Sequence, residues 1–250
     1  MAAITLFSAV TARAHVQPSV DDNNRYVKLT PLGDRVRIAY TILYGEIPGA
    51  RERQRIDTNR DGTISDAEAR AFADVLAAEV AGALDLDVDG APRPITWDET
   101  TLSVGTPAVA AGTFAVDLVA YPCLASARGR HRVVLHDRFR VPNPGEVEVM
   151  VESAPGVTIE RSHVGAQHGE DILLVGPGGP LADDGFEIVF VAGERAPVTG
   201  GCAVAEPPRA SRAWLYAIGA AVGALVVAIA VVLALRRRRA KRHIVEPPAG

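Results

Sequence analysis

Hydrophobic and polar residues alternate along much of the chain, and the alternation begins as a hairpin pattern. Between residues 25 and 43, Val36 and Ile38 fall on one side of an extended chain and Arg37 falls on the other. A turn-forming run, Pro31-Leu-Gly-Asp34, divides the two halves of this segment. Alternation with a period of two around such a turn predicts a β-hairpin.

Short alternating or apolar runs recur through the rest of the first 190 residues, separated by turns rich in glycine and proline. We predict strands at residues 86–88, 95–97, 114–118, 131–135, 147–151, 157–160, 172–175 and 186–191. Many short strands with regular turns are typical of two packed sheets. The expected fold is therefore mainly β, a β-sandwich-like domain over residues 15–193.

One stretch has a helical period instead. After Ser65, the apolar positions are spaced three or four apart, and they are Phe72, Val75, Leu76, Val80 and Leu84. Ser65 followed by Glu68 is a capping box, which predicts that a helix begins there. A shorter, arginine-rich helix is expected at 47–56, with Pro48 in its first turn. The pattern predicts a helix–loop–helix at about residues 47–84, inserted in the β domain.

The loop between these helices carries oxygen-bearing side chains at alternating positions. The twelve residues from 57 to 68 fit every position of an EF-hand calcium loop. The expected ligands are Asp57, Asn59, Asp61, the carbonyl of Thr63, Ser65 through water, and Glu68, which would bind bidentately. Gly62 occupies the sixth position, where the chain turns with a positive φ, and Ile64 is the apolar eighth residue. The sequence therefore predicts one Ca²⁺ site.

No second loop of this kind occurs in the sequence, so the single hand cannot pair with a sister hand. Extracellular calcium modules bind with Kd of ~10⁻⁴–10⁻³ M, which suits a permanently occupied site outside the cell. We therefore expect the calcium to be mainly structural.

The two ends of the chain predict a membrane protein. Residues 2–10 are apolar and precede Ala12-Arg-Ala14, which resembles a signal-peptidase site, so residues 1–14 are interpreted as a signal peptide. Residues 213–235 contain an uncharged run long enough to cross a bilayer, and the arginine-rich tail, 236–250, predicts a cytoplasmic end. Residues 194–212 are interpreted as a linker. The expected location is a cell membrane, with a single span and the N-terminal domain extracytoplasmic.

Charge and cysteine content narrow the choice of partner. Between residues 15 and 212 the chain has 29 acidic and 19 basic residues, and an acidic surface disfavours nucleic acid. Both cysteines, Cys123 and Cys202, fall on the predicted outer side, where an oxidising compartment permits a disulfide. Sequence does not show whether they are paired with each other, free, or bonded to another molecule.

The order of these features resembles the amino-terminal extracytoplasmic region of HupE/UreJ-type membrane proteins and related nickel/cobalt exporters. The resemblance covers roughly residues 15–160, and the matching segments are 12–15, 26–29, 34–38, 45–48, 53–68 and 84–90. It implies an outer domain with a calcium-type loop near a short helix. Those transporters continue into several membrane helices, whereas one span is predicted here. The resemblance therefore implies an accessory or stand-alone relative of the outer domain.

Several alternatives remain open at the level of sequence. Cleavage after Ala14 would expose His15, whose amine and imidazole chelate Cu²⁺ or Ni²⁺, and two histidine pairs, His131 with His136 and His163 with His168, are further candidates. Each pair is five residues apart, which places side chains on opposite faces of one regular strand.

No motif organises serine, histidine and aspartate for catalysis, so we do not expect an enzyme. Gly219 and Gly223 form a G-x-x-x-G element that allows two spans to approach, which gives a candidate homodimer contact. The function predicted from sequence is a membrane-anchored calcium-binding interaction module. The alternative is an accessory to a transporter in the same membrane, concerned with nickel, cobalt or copper.

Overall fold

The computed structural model describes residues 19–169, 172–176 and 179–202. Within these ranges the chain forms twelve strands, two longer α-helices, one short α-helix and one 3₁₀ helix at Val109–Ala111. In chain order they are β1 (Asn23–Pro31), β2 (Val36–Tyr44), α1 (Glu46–Ile56), α2 (Asp66–Ala83), β3 (Leu84–Val88), β4 (Ala91–Arg93), β5 (Glu99–Ser103), β6 (Phe114–Ala120), β7 (Gly129–Asp137), β8 (Pro144–Val151), β9 (Val157–Val164), β10 (Gln167–His168), β11 (Ile172–Val175), α3 (Gly179–Asp183) and β12 (Phe186–Ala192).

The strands of the described residues form two six-stranded sheets. The first has the order β11-β8-β1-β2-β6-β5, and the second has the order β10-β9-β12-β7-β3-β4. Neighbouring strands are antiparallel except β1 and β8, which are parallel. Alternate residues of both sheets, such as Ile38 and Leu135, join one buried apolar cluster. The predicted mainly β fold is confirmed, and the shared core is the packing of a sandwich.

The two helices form the connection from β2, in the first sheet, to β3, in the second. α1 and α2 agree closely with the helices predicted at 47–56 and from 66 onward. Val75, expected on the apolar face of α2, is 61% exposed, whereas Leu76 and Val80 are buried. The buried face of α2 is completed by small residues, Ala73 and Ala77, whose spacing carries little hydrophobic signal.

Some predicted strand positions are wrong. Residues 95–97 do not form a strand, and Trp97 instead donates from Nε1 to the carbonyl of Ala77 at 2.9 Å. This bond ties the middle of α2 to the loop that precedes β5. The short strands β4, β5 and β10 were not predicted, because two to five residues give too few alternations to recognise.

The first part of the predicted linker packs on the sandwich. Ala196 is buried, and the carbonyl of Pro197 accepts a hydrogen bond from the amide of Gly33 at 2.8 Å. Cys202 is disulfide-bonded to Cys123, with a Cα–Cα distance of 5.6 Å. The pairing that sequence left open is therefore present. Residues 203–212 lie outside the described ranges.

The predicted membrane span, residues 213–235, also lies outside the described ranges, as do the signal peptide, the basic tail, His15, Gly219 and Gly223. Of the helices that the structure describes, none combines the length and apolar character needed to cross a bilayer.

Candidate functional site

The loop predicted to bind calcium lies between α1 and α2, where the chain leaves one sheet for the other. Asp57 follows the last residue of α1, and its amide donates to the carbonyl of Arg53 at 3.0 Å. Ser65 precedes α2, and its hydroxyl accepts a hydrogen bond from the amide of Glu68, the capping box expected from sequence.

The loop backbone enters the left-handed region twice. Arg60 has a φ of 60° and Gly62 a φ of 84°. A Cβ placed on Gly62 would meet no atom within 4 Å, so this position requires glycine for its backbone conformation and not for space. Arg60 adopts the same region with a side chain, which costs about 1 kcal/mol or more. A tight coil with two such residues needs compensating contacts inside the loop.

Those contacts come from the side chains predicted to be ligands. Asp57 accepts from the amides of Asp61 and Gly62, at 3.1 and 2.9 Å. Asn59 accepts from the amide of Asp61 at 2.8 Å, and Asp61 accepts from the amide of Thr63 at 2.8 Å. Each acidic or amide side chain is therefore held on the inner side of the coil by the loop's own backbone.

Glu68 closes the loop from the α2 side. Its Oε1 accepts from the amide and hydroxyl of Thr58, at 2.8 and 2.9 Å, and from the amide of Asn59 at 3.2 Å. Its Oε2 accepts from the amide and hydroxyl of Ser65, at 3.0 and 2.7 Å. These hydrogen bonds, led by those from Ser65, lower the pKa of Glu68 from its ordinary 4.5 to about 2.

The donor chemistry of the loop fits calcium. Its side chains supply carboxylate, amide and hydroxyl oxygens, and Thr63 adds a carbonyl, all of which are hard donors that Ca²⁺ prefers. Within the described residues, however, no three carboxylate, imidazole or thiol groups converge on one point. Both oxygens of Glu68, and both oxygens of Asp57, accept hydrogen bonds from the loop instead.

A neighbouring segment, residues 104–113, takes the place that a sister hand would fill. The amide of Ile64 donates to the carbonyl of Pro107 at 2.8 Å, and the amide of Val109 donates to the carbonyl of Gly62 at 3.1 Å. Thr63 and Ala108 thus form an isolated antiparallel bridge. Ile64 is buried in the core at 4% exposure, as its apolar character predicts.

The side chain of Arg53, in α1, binds the backbone of residues 104–113. Its side chain has no solvent exposure, and its guanidinium donates to five backbone carbonyls. The acceptors are Val104, Thr106, Ala108, Gly112 and Thr113. The guanidinium also lies 5.7 Å from the ring centre of Phe114. Sequence reasoning missed this residue, since nothing in the pattern separates Arg53 from its exposed neighbours Arg51 and Arg55.

The fold places the two candidate histidine pairs differently. His131 and His136 lie on opposite faces of β7, as an odd separation predicts. His163 and His168 lie on different strands, β9 and β10, and face each other directly in the register of that hairpin. Their ring centres are 5.3 Å apart. The expectation of opposite faces was wrong for this pair because a turn separates the two residues.

A serine, a histidine and an aspartate meet at β7, a grouping that sequence did not predict. His131 Nδ1 lies 2.8 Å from Asp89, and Nε2 lies 3.4 Å from the hydroxyl of Ser126. The Ser126 hydroxyl donates to the carbonyl of Arg128 at 2.7 Å. The two contacts of His131 and the hydrogen bond of Ser126 tie the loop before β7 to the turn that carries Asp89.

A cavity of about 730 Å³ lies elsewhere, beside a buried polar group made by Arg25, Tyr40 and Asp137. Arg25 Nη1 donates to Asp137 and to the Tyr40 hydroxyl, and Tyr40 donates to Asp137 at 3.0 Å. Burial raises the pKa of Asp137 although Arg25 opposes the shift. The group joins β1 and β2 of one sheet to β7 of the other.

Comparison with protein-family models finds no match to this chain, and a search of curated proteins finds none either.

Proposed function

We propose that residues 57–68 bind one Ca²⁺. The observation that carries this proposal is that Asp57, Asn59 and Asp61 are each held by amides of the same tight coil, with Gly62 in the left-handed conformation at its turn. Such a coil presents the remaining oxygen lone pairs to its interior, which is the arrangement that calcium loops use.

The ligands under this proposal are Asp57, Asn59, Asp61, the Thr63 carbonyl, Ser65 through water, and Glu68. Glu68 must exchange hydrogen bonds with Thr58, Asn59 and Ser65 for two bonds to the ion. Because its pKa is already low, no proton has to leave this carboxylate at neutral pH. The cost of binding is therefore a rearrangement of one side chain.

The calcium is structural in this proposal, and it stabilises the connection between the two sheets. The backbone of the loop pairs with residues 107–109 of the same domain, so it has no sister hand to cooperate with among the described residues. At a free concentration ten times Kd, binding adds about 1.4 kcal/mol to the free energy of unfolding. That gain is enough to order an inserted loop and small beside the stability of a domain.

We further infer that the domain acts outside the cytoplasm as an interaction module held at a membrane. The Cys123–Cys202 disulfide supports an oxidising compartment. Anchoring by residues 213–235, and a protein partner or transporter in the same membrane, are predictions from sequence. To test the compartment, intact cells that express the chain are reduced and then treated with a membrane-impermeant thiol reagent. The reagent should label Cys123 and Cys202 if the domain lies outside the cytoplasm.

The calcium proposal is tested on the full chain by thermal unfolding with excess chelator and then with added Ca²⁺. We expect calcium to raise Tm of the unmutated chain, and to raise Tm much less in Asp57→Asn and Glu68→Gln. Asp66→Asn is the matched control, because Asp66 lies in the same loop and loses the same charge but occupies a non-ligand position at the start of α2. A Tm of the unmutated chain that does not respond to calcium would contradict the proposal.

A further inference from the structure

The β9–β10 hairpin brings two imidazoles together on one face. Val164 pairs with Gln167, and His163 pairs with His168, around a two-residue turn at Gly165 and Ala166. Gly165 has a φ of 55°, the left-handed conformation that tight hairpin turns of this kind require. The register therefore holds the two histidines opposite each other, with an angle of 31° between the ring planes.

One nitrogen of this pair has no hydrogen-bond partner although it is buried. His163 Nδ1 is inaccessible to solvent and has no hydrogen-bond partner among the described residues. A buried polar atom left without a partner costs about 1–3 kcal/mol. Within the described residues, neither nitrogen of His168 has a hydrogen-bond partner, and the ring of His168 lies against that of His163. The pair thus combines an unsatisfied nitrogen with a second imidazole beside it.

The separation of the rings matches that of two imidazoles bound to one ion. For metal–nitrogen bonds of ~2.1 Å and tetrahedral angles, the centres of two ligating rings lie about 5 Å apart. The observed distance between the ring centres of His163 and His168 is 5.3 Å. We propose that these two histidines form a site for a divalent transition metal of the class that imidazole prefers, Zn²⁺, Ni²⁺ or Cu²⁺.

The surroundings indicate that such an ion would be held by few protein ligands. Glu187 is the cross-strand neighbour of His163 in β12, but its carboxylate accepts from Arg132 at 2.8 Å and from Arg161 at 2.7 Å. No third histidine, cysteine or carboxylate joins the two histidines in the described part of the chain. Water or a group from a partner molecule would complete the coordination, as in exchangeable sites that keep open positions.

This site is independent of the calcium loop in both position and chemistry. The loop offers hard oxygen donors between α1 and α2, whereas the hairpin offers two nitrogens at the edge of the second sheet. Calcium has little preference for imidazole, so saturating Ca²⁺ leaves the hairpin available. The two proposals can therefore fail separately.

The test is a calorimetric titration of the full chain with Zn²⁺ in the presence of saturating Ca²⁺. We expect His163→Gln and His168→Gln each to weaken Zn²⁺ binding at least about tenfold. His136→Gln is the control, because it removes one imidazole of β7 and leaves the hairpin intact.

A second variant tests position without changing composition. Exchanging residues 167 and 168, by Gln167→His together with His168→Gln, moves the imidazole to the opposite face of the hairpin. We expect this chain to lose Zn²⁺ binding as fully as His168→Gln, with an unchanged Tm in metal chelator. The proposal is overturned if the exchanged chain, or both single variants, bind Zn²⁺ with the affinity of the unmutated chain.

Discussion

Replacing Arg53 by methionine removes the guanidinium that joins α1 to residues 104–113, and it keeps an unbranched apolar side chain of similar length. The five carbonyls that Arg53 pairs belong to a segment that also forms hydrogen bonds with the candidate calcium loop. We expect the change to lower the free energy of unfolding and to weaken calcium binding together, because both depend on the position of the same segment.

The size of the effect follows from where each acceptor lies. Gly112 is buried, so its unpaired carbonyl costs about 1–3 kcal/mol. Thr106, Ala108 and Thr113 are exposed and Val104 is half-buried, so these four carbonyls regain water. Each of these lost bonds then costs roughly 1 kcal/mol or less. Removing a charge that is buried without a carboxylate partner offsets part of the loss. We expect a net loss of about 3 kcal/mol.

The assay is urea unfolding of the full chain in chelator, followed by circular dichroism. Arg55→Met is the control, because Arg55 is two residues away in α1, is largely exposed, and within the described ranges makes only a surface ion pair with Glu52. This control should change the free energy of unfolding by less than about 0.5 kcal/mol. Arg53→Lys should be intermediate, since an ammonium has fewer donors. If Arg53→Met and Arg55→Met have the same free energy of unfolding, the stabilising role assigned to the Arg53 side chain is wrong.

Three further predictions concern the loop and the disulfide. The pKa of Glu68 is lowered in the folded state, so the ionised carboxylate stabilises the fold above about pH 4.5, and this stabilisation is lost as the pH falls toward 2. In chelator, the Tm of Glu68→Gln should therefore fall less steeply with acid than the Tm of the unmutated chain. Gly62→Ala should destabilise the chain by about 1 kcal/mol because the φ of Gly62 is positive. Gly82→Ala should stabilise the chain by up to about 1 kcal/mol, because Gly82 lies in a helix and no atom lies within 4 Å of the new Cβ. Changes of the same sign in the free energy of unfolding, measured with denaturant, would refute this pair of predictions. Replacing Cys123 and Cys202 by serine removes a cross-link between residues separated by 79 positions and should cost about 2–4 kcal/mol in denaturant unfolding. An unchanged free energy of unfolding is the contrary result.

The candidate calcium loop could be predicted almost completely from sequence, because its contacts are local. Asp57 reaches the amide of Gly62 five residues later, and Ser65 caps a helix that begins at the next residue. Interactions over so few residues depend on residue type and spacing, both of which are visible in the chain. The β1–β2 hairpin was predictable for the same reason, since its register follows from one turn.

The rest of the site could not be predicted, because it depends on residues distant in sequence. Arg53 meets carbonyls more than fifty positions away, and its neighbours Arg51 and Arg55 have the same residue type without that role. The segment that pairs with Ile64 contains no signal of its own. His163 and His168 were assigned to opposite faces because the two-residue turn between them was not recognised.

The sequence by itself determined the two-sheet character of this protein and the chemistry of its loop, since alternation and ligand spacing are local properties of the chain. Only the tertiary structure decided what supports that loop, how Cys123 meets Cys202, and which histidines are neighbours. The reason is physical: these contacts exist only after the strands are ordered in two sheets, and strand order is set by the packing of the whole core.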